Sequence, residues 1–388
     1  MPTKRRRDER GGGRAGAANP PRRRRHLYIV LDDWAWGYSI RKISLPSING
    51  TQETDAIVGL QSMPPAVLHL EAPRGLPEYF TAAFGATIVA MHPREDGVWD
   101  GESRPRPLPR GPRVLRHPLA GAVPRPSPTS RTPRCTPSTS PSATTSSSPC
   151  AGLFQVLRNR ASSTASQEVW SWSTLPDPPE HLDPRCVVSS AVHPDARTVF
   201  LSAFAPEATY SFQYTEEAAE GMGVTWKTHG KWVLPFSRHA HFDPELQAWV
   251  GLSGIHDALG HVCACEVPLV SSAADSDCLQ LQCPAWKFSK ERLLCFSEVD
   301  PAETHFGATL LYLGGGSEYC VVECISMERY SEEEDRALYY DEVRLTTFSL
   351  KYDGNGELTC GNNIRHRYYV VPAGVSREIL ERPVAFWM

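Results

Sequence analysis

The residues whose types and spacing come nearest to a reactive set are His239, His241 and Asp243, at every second position of RHAHFD. In an extended strand that spacing puts all three side chains on one face, where two imidazoles and a carboxylate are ligands that zinc accepts. Asp243 also opens DPEL, and an aspartate there bonds the backbone just ahead of it and starts a turn. The turn is the expected role and metal binding the alternative. Cys263 and Cys265 share a strand face, while Cys320 and Cys324 lie in another apolar strand. No Cys-x-x-Cys pair occurs, and Cys278 and Cys283 have no partner pair nearby. All are expected to pack as small apolar side chains.

Two loops imitate ligand sites. Gly314, Gly315 and Gly316 suggest a phosphate cradle, but that needs a following helix and a lysine, and strand residues follow instead. Asp353, Asn355 and Glu357 resemble the start of a calcium loop without its glutamate at position twelve. Both are expected to be hairpin turns. No G-x-S-x-G elbow or H-E-x-x-H helix is present, so no catalytic, cofactor-binding or metal-binding residue is assigned and no cofactor is expected. The ten tryptophans fall mostly in strands and turns, where they read as packing residues.

The elements that must hold these residues are short strands. LYIVLDD (27–33) and YSIRKISL (38–45) flank Gly37 as a hairpin requires, and AVLHLEAP and ATIVAMHP continue the pattern. Helical periodicity is confined to SREILERP near the C-terminus and to SEEEDRALYY, each long enough for a turn or two. The strands repeat. ATIVAMHP ends at Pro93 and VVSSAVHP at Pro194, 101 residues apart, or two units of about fifty. An aromatic strand running into Leu-Pro recurs in WSWSTLP and WKTHGKWVLP. Four strands in about fifty residues is one propeller blade. The expectation is therefore all-β: a kelch-like β-propeller of about five or six four-stranded blades with the ring left incomplete, and a β-sandwich pair as the alternative. RPVAFWM at the C-terminus is apolar enough to complete the first blade against LYIVLDDW, so the tail after Arg382 should be buried.

Charge divides the chain. Residues 1–25 carry +8 and residues 101–150 carry +7, which leaves −19 on the rest of a chain whose net charge is −4. An acidic body disfavours a broad nucleic-acid face, so no specific nucleic acid is expected as partner. Residues 1–26 are read as a disordered basic tail. Its two clusters, Lys4, Arg5, Arg6, Arg7 and Arg22, Arg23, Arg24, Arg25, are fourteen residues apart. That spacing suits a bipartite nuclear localisation signal bound by an import receptor, and the plainer reading is a solvated basic tail. The expected address is nucleus or cytoplasm. No run of about 18 apolar residues suggests a membrane partner, no apolar leader suggests secretion, and the eleven cysteines are read as reduced thiols.

Within residues 101–150, Pro, Arg, Ser and Thr fill 35 of 50 positions with no aromatic, too little apolar surface to offset ordering. Residues 97–152 are accordingly read as a disordered interruption of one propeller domain spanning 27–388. Such a vocabulary is also what GC-rich coding sequence yields in a shifted frame, so about one blade is read as lost to a frameshift. A genuine Ser/Pro-rich linker is the other reading.

LYIVLDDWAWGYSIRKISL, LEAPRG, AMHPRE, WSWSTLPDPP, HPDARTVFLSA, THGKWVLPF, HFDPELQAWVGL, CPAWKFSKERL, GATLLYLGG, LTTFSLKYDGNGEL and RPVAFWM together resemble a plant family expanded in cereals, domain of unknown function 1668. The likeness covers about residues 26–96 and 165–388 and lapses across 97–152. It implies a kelch- or F-box-associated-like fold and brings no activity, cofactor or catalytic residue. The expected role is a non-enzymatic protein-interaction module that binds through its loops. The alternatives are a kelch-type oxidoreductase with its site in a central channel, and a non-functional product of a frameshifted gene.

Overall fold

Gly37 sets the first hairpin. Its φ is +151°, and a Cβ there would collide with the Leu70 carbonyl and the Ala72 amide, so glycine lets the chain turn straight out of Trp34. The strands it joins are β1 (Leu27–Trp34) and β2 (Gly37–Ile43), paired antiparallel from Leu27↔Ile43 to Trp34↔Gly37. The structure, a computed structural model, describes residues 25–45, 59–77, 80–83, 87–90, 114–115, 123–126, 154–161, 168–174, 176, 179, 182–183, 186–215, 223–270, 282–294, 303–331, 336–361 and 363–388.

The described chain is all-β, as its alternating sequence requires. After β3 (Gln61–Ser62) comes β4 (Ala66–Glu71), antiparallel to β2. Two three-stranded sheets follow: β5 (Phe80–Ala83), β6 (Thr87–Ala90) and β7 (Val114–Leu115), then β8 (Val123–Pro126), β9 (Phe154–Ala161) and β10 (Glu168–Thr174). The next strands form two four-stranded meanders. One is β11 (Val187–Val192), β12 (Thr198–Phe204), β13 (Glu207–Thr215) and β14 (Gly223–Gly230). The other is β15 (Arg238–Asp243), β16 (Ala248–Leu252), β17 (His261–Glu266) and β18 (Trp286–Arg292). A third contains β19 (Glu303–Gly314), β20 (Glu318–Ser331) and β21 (Arg336–Ser349), then the small hairpin β22 (Lys351–Tyr352) and β23 (Leu358–Thr359), and closes with β24 (Arg365–Val370) beside β21. Last come the helix α1 (Arg377–Glu381), capped by the Ser376 hydroxyl, and β25 (Val384–Trp387).

The last strand completes the first sheet. β25 pairs antiparallel with β1 from Leu27↔Trp387 to Val30↔Val384, giving the order β25-β1-β2-β4, and Ala385 and Phe386 are buried there. The expected burial of the tail after Arg382 is met by these two side chains.

The middle sheets are apolar on both faces because each packs against a neighbour on either side. In β16 every residue is buried: Trp249 joins Phe200, Phe236, Cys263 and Cys265 in one core, while Ala248 and Val250 join Tyr319, Val321 and Phe348 in the next. In β20, Tyr319 and Val321 face that second core, and Cys320, Val322 and Cys324 face a third built on Leu27, Ile29, Leu31, Tyr38 and Ile40. The four four-stranded units thus stack face to face in chain order, the last being the one closed by β25. Each sheet of this kind, a meander of the size of one blade, has the local arrangement that a propeller repeats.

SEEEDRALYY is not helical where it is described. Ser331 and Arg336–Tyr340 extend the β20–β21 ladder, in which Ser331↔Arg336 and Met327↔Tyr340 are partners. The ladder overrides the helix preference of Glu, Ala and Leu because each added pair continues a register already fixed nearer the core. Lys4–Arg7, Arg22–Arg24, Cys278 and most of 97–152 lie outside the described residues; Val114–Leu115 and Val123–Pro126 are strand residues within that last segment.

Candidate binding face

The first strand of each four-stranded unit runs in the same direction. β11 and β15 pair parallel through Ser189↔Arg238 and Ala191↔Ala240. His241 bonds the Leu310 carbonyl of β19 at 2.9 Å, and Arg238 Nη2 donates to the Glu381 carbonyl at 3.0 Å. Glu381 backbone lies against Gly307, where a Cβ would collide with it, and Trp387 Nε1 donates to the Leu313 carbonyl at 2.8 Å. Moving up β15 from 238 to 241 therefore moves up β19 from 307 toward 310, and moving from 381 to 387 moves from 307 to 313. β15, β19 and β25 are co-directional.

That direction sorts the turns onto two ends. The β1–β2, β12–β13 and β20–β21 hairpins close at the end where β25, β11 and β19 begin, as the partners Val30↔Val384, Val187↔Ala203 and Glu303↔Met327 fix. Large aromatics stand exposed at this end: Trp36 at 67% in the first hairpin, Phe204 at 57% in the second, and Tyr339 and Tyr340 at 69% and 39% on the third. Monomer surfaces expose single apolar side chains routinely; several hairpin tips turned to one side are less usual.

The opposite end is built for turning. Asp195 Oδ1 accepts from the Arg197 and Thr198 amides, and Asp243 Oδ1 accepts from those of Glu245 and Leu246 at 2.8 and 3.1 Å. Asp243 also accepts, through Oδ2, from the Tyr319 hydroxyl at 2.6 Å. Its carboxylate is thus spent on a turn and a buried phenol, as DPEL implies. His239 and His241 lie on one face with ring centroids 5.0 Å apart. His239 is exposed and His241 half-buried; burial lowers the pKa of His241, against the bond to Leu310. Among the described residues no three His, Cys, Asp or Glu side chains gather as a metal site.

The remaining motifs resolve as turns and packing. Gly314 (φ +118°) and Gly316 (φ +82°) carry the β19–β20 hairpin, a conformation that glycine adopts without strain. Asp353 bonds the Asn355 and Glu357 amides in the β22–β23 hairpin. Cys263, Cys265, Cys320 and Cys324 are buried free thiols. Burial pushes Cys265 and Cys320 up to about 12, and Cys263 and Cys324 are raised by the same cause.

With strand order, turns and exposed tips in place, comparison by sequence decides kinship. Residues 24–369 match the model of the family described as protein of unknown function, DUF1668. The chain belongs to that family. No curated protein matches it. A solved structure from Bacteroides uniformis, bearing the name of a 6-phosphogluconolactonase, aligns over 94% of this chain and 99% of its own at 11% identity and a TM-score of 0.33. A likeness that loose carries neither fold nor function.

Inside this DUF1668 chain lies a charged network that no motif announces. Arg344 of β21 bonds Glu323 of β20 through Nε and Nη2 at 2.9 and 2.6 Å, and Glu303 of β19 through Nη1 at 3.2 Å. His305 Nδ1 meets the other Glu323 oxygen at 2.7 Å. These residues are scattered over three strands, and the legible signal was a charge inside each apolar run, Glu323 in YCVVECIS and Arg344 in VRLTTF. Paired among themselves, they link β19, β20 and β21 through side chains.

Proposed function

We propose that this chain is a non-enzymatic protein-interaction module of propeller type, and that it binds its partner through the end carrying Trp36, Phe204 and Tyr339. The observation behind the reading is that three hairpins of separate units turn exposed aromatics to one side, the kind of residue that anchors protein interfaces. The charged groups offer less for chemistry: Asp243 and the Arg344 network are occupied by partners within the fold. Loops on a packed scaffold are also where binding residues concentrate.

The test is proximity labelling and affinity capture with the full chain, next to a Trp36→Ala, Phe204→Ala variant that melts at the same temperature. A set of captured proteins lost in the variant supports the reading. An unchanged set sinks it.

The address we propose is the nucleus, reached through Lys4–Arg7 and Arg22–Arg25 on an import receptor, because two cationic clusters at that spacing fit a bipartite signal. Residues 1–26 fused to a reporter too large for passive pore passage should enter nuclei. A reporter left in the cytoplasm would overturn the proposal.

A further inference from the structure

Two arginines far apart in the chain meet at the end that carries Trp36 and Phe204. Arg238 opens β15 with φ at +70°, a left-handed conformation uncommon for any residue but glycine. Its guanidinium leaves its own unit and donates through Nη2 to the Glu381 carbonyl of α1 at 3.0 Å. Arg382 follows directly, and its charge acts on that of Arg238. Both arginines are exposed, and among the described residues neither forms an ion pair. Two acids at this end have other partners: the Glu381 carboxylate bonds Arg377 at 2.8 Å, and Glu303, which opens β19, bonds Arg344. Next along β15, the exposed His239 meets the Ser190 hydroxyl at 3.3 Å. Two guanidiniums side by side repel, and a bound anion attracts both.

We infer that Arg238 and Arg382 are the anion-binding centre of this end, and that they receive carboxylates from an acidic, extended peptide segment of a partner protein. The inference rests on the interaction-module reading and names the chemistry of the partner. A guanidinium fork matches a carboxylate in shape as well as in charge, so two of them suit a pair of Asp or Glu side chains. Apolar residues flanking that pair have the exposed rings of Trp36 and Phe204 at the same end to pack against. Charge argues against a long polyanion such as single-stranded RNA. Outside residues 1–25 and 101–150 the chain carries −19, which repels the phosphates to either side of the two arginines, whereas two carboxylates need only the local pair.

The experiment is fluorescence anisotropy of the full chain with a labelled peptide of about ten residues, in which adjacent Glu residues sit between Leu and Phe. Beside it run the same peptide with Gln for each Glu and a labelled oligouridine of similar length. Three variants accompany them: Arg238→Gln with Arg382→Gln, Arg382→Gln alone, and one with Lys4, Arg5, Arg6, Arg7, Arg22, Arg23, Arg24 and Arg25 all changed to Gln. Each must melt as the parent does. Arg382→Gln breaks no side-chain bond among the described residues, so it decides the matter if the double variant does not fold. The acidic peptide should bind the parent and lose affinity on going from about 50 to about 200 mM salt. It should bind the double variant at least about tenfold and the single variant at least about threefold more weakly, and the tail variant as tightly as the parent. No binding to the parent, equal affinity for Arg382→Gln, equal binding of the Gln peptide, binding lost with the tail clusters instead, or tighter binding of the oligouridine would each overturn the inference. Capture lost through Trp36→Ala, Phe204→Ala while the peptide ignores the two arginines would leave the module reading standing and this inference refuted.

Discussion

His26 and Met388 exchange both backbone hydrogen bonds, the His26 amide reaching the Met388 carbonyl at 2.6 Å and the Met388 amide returning to His26 at 3.0 Å. They extend the β1–β25 ladder by one pair and bring the two ends of the described fold into one sheet, where the Asp32 carboxylate also accepts from the Ser376 amide at 2.7 Å. An antiparallel sheet closed by the chain's last strand leaves no early unit able to finish its core alone.

Removing residues 383–388 should therefore destabilise the whole fold. Phe386→Ala, which leaves the strand in place, should lower unfolding free energy by about 3 kcal/mol or more through the lost packing and the cavity. Urea unfolding checks it. One sharp transition in the parent is also expected, and aggregation without a cooperative transition would favour the view of the chain as a damaged gene product.

Arg344→Met should cost about 3 to 5 kcal/mol, because Glu323 and Glu303 would remain buried without their cation. Replacing all three together with apolar residues of similar volume should recover most of that loss. A single variant as stable as the parent would show that the network holds nothing together.

Stability should fall as pH drops from 6.5 toward 4. His229 stacks on Phe200, bonds Ser211 through Nε2, and has no partner at Nδ1 among the described residues. Burial, followed by Lys227, pushes its pKa down from 6.5 to about 4. The unfolded chain then takes up the proton first, so the stabilisation is complete above 6.5 and is lost as pH falls through the interval to the folded value, a change of about 3 kcal/mol. Half-buried His241, whose pKa burial lowers against the bond to Leu310, acts with the same sign. Urea midpoints at pH 7 and 4.5 for the parent and for His229→Gln should show a smaller pH dependence in the variant.

Cys263, Cys265, Cys320 and Cys324 should be inert to a thiol-specific disulfide reagent in the native state and react once the chain is unfolded, because the thiolate is the nucleophile and burial suppresses it. Mass spectrometry of labelled peptides reads the result. Rapid native labelling of any of the four would mean that its strand opens readily.

Local chemistry was legible wherever a feature is decided by neighbours in the chain. The Gly37 hairpin, the glycine turn at 314–316, the Asp243 and Asp353 turns and the pairing of RPVAFWM with LYIVLDDW follow from backbone preference and apolar pattern. SEEEDRALYY misled because its intrinsic preference for helix is weaker than the ladder that captures it. Arg344 and Glu323 were visible as odd charges in apolar strands, but their partnership was not, since it joins positions 21 residues apart through a register that only the folded sheet sets.

By itself, then, the sequence determined an all-β chain, the turns, the closing strand and the partition of charge, because each depends on side-chain type and near neighbours. Only the tertiary structure decided that the first strands of separate units run in one direction, so that Trp36, Phe204 and Tyr339 come to the same end. Direction and register are set by packing between distant segments, and a linear pattern of residues holds no record of which sheet will lie against which.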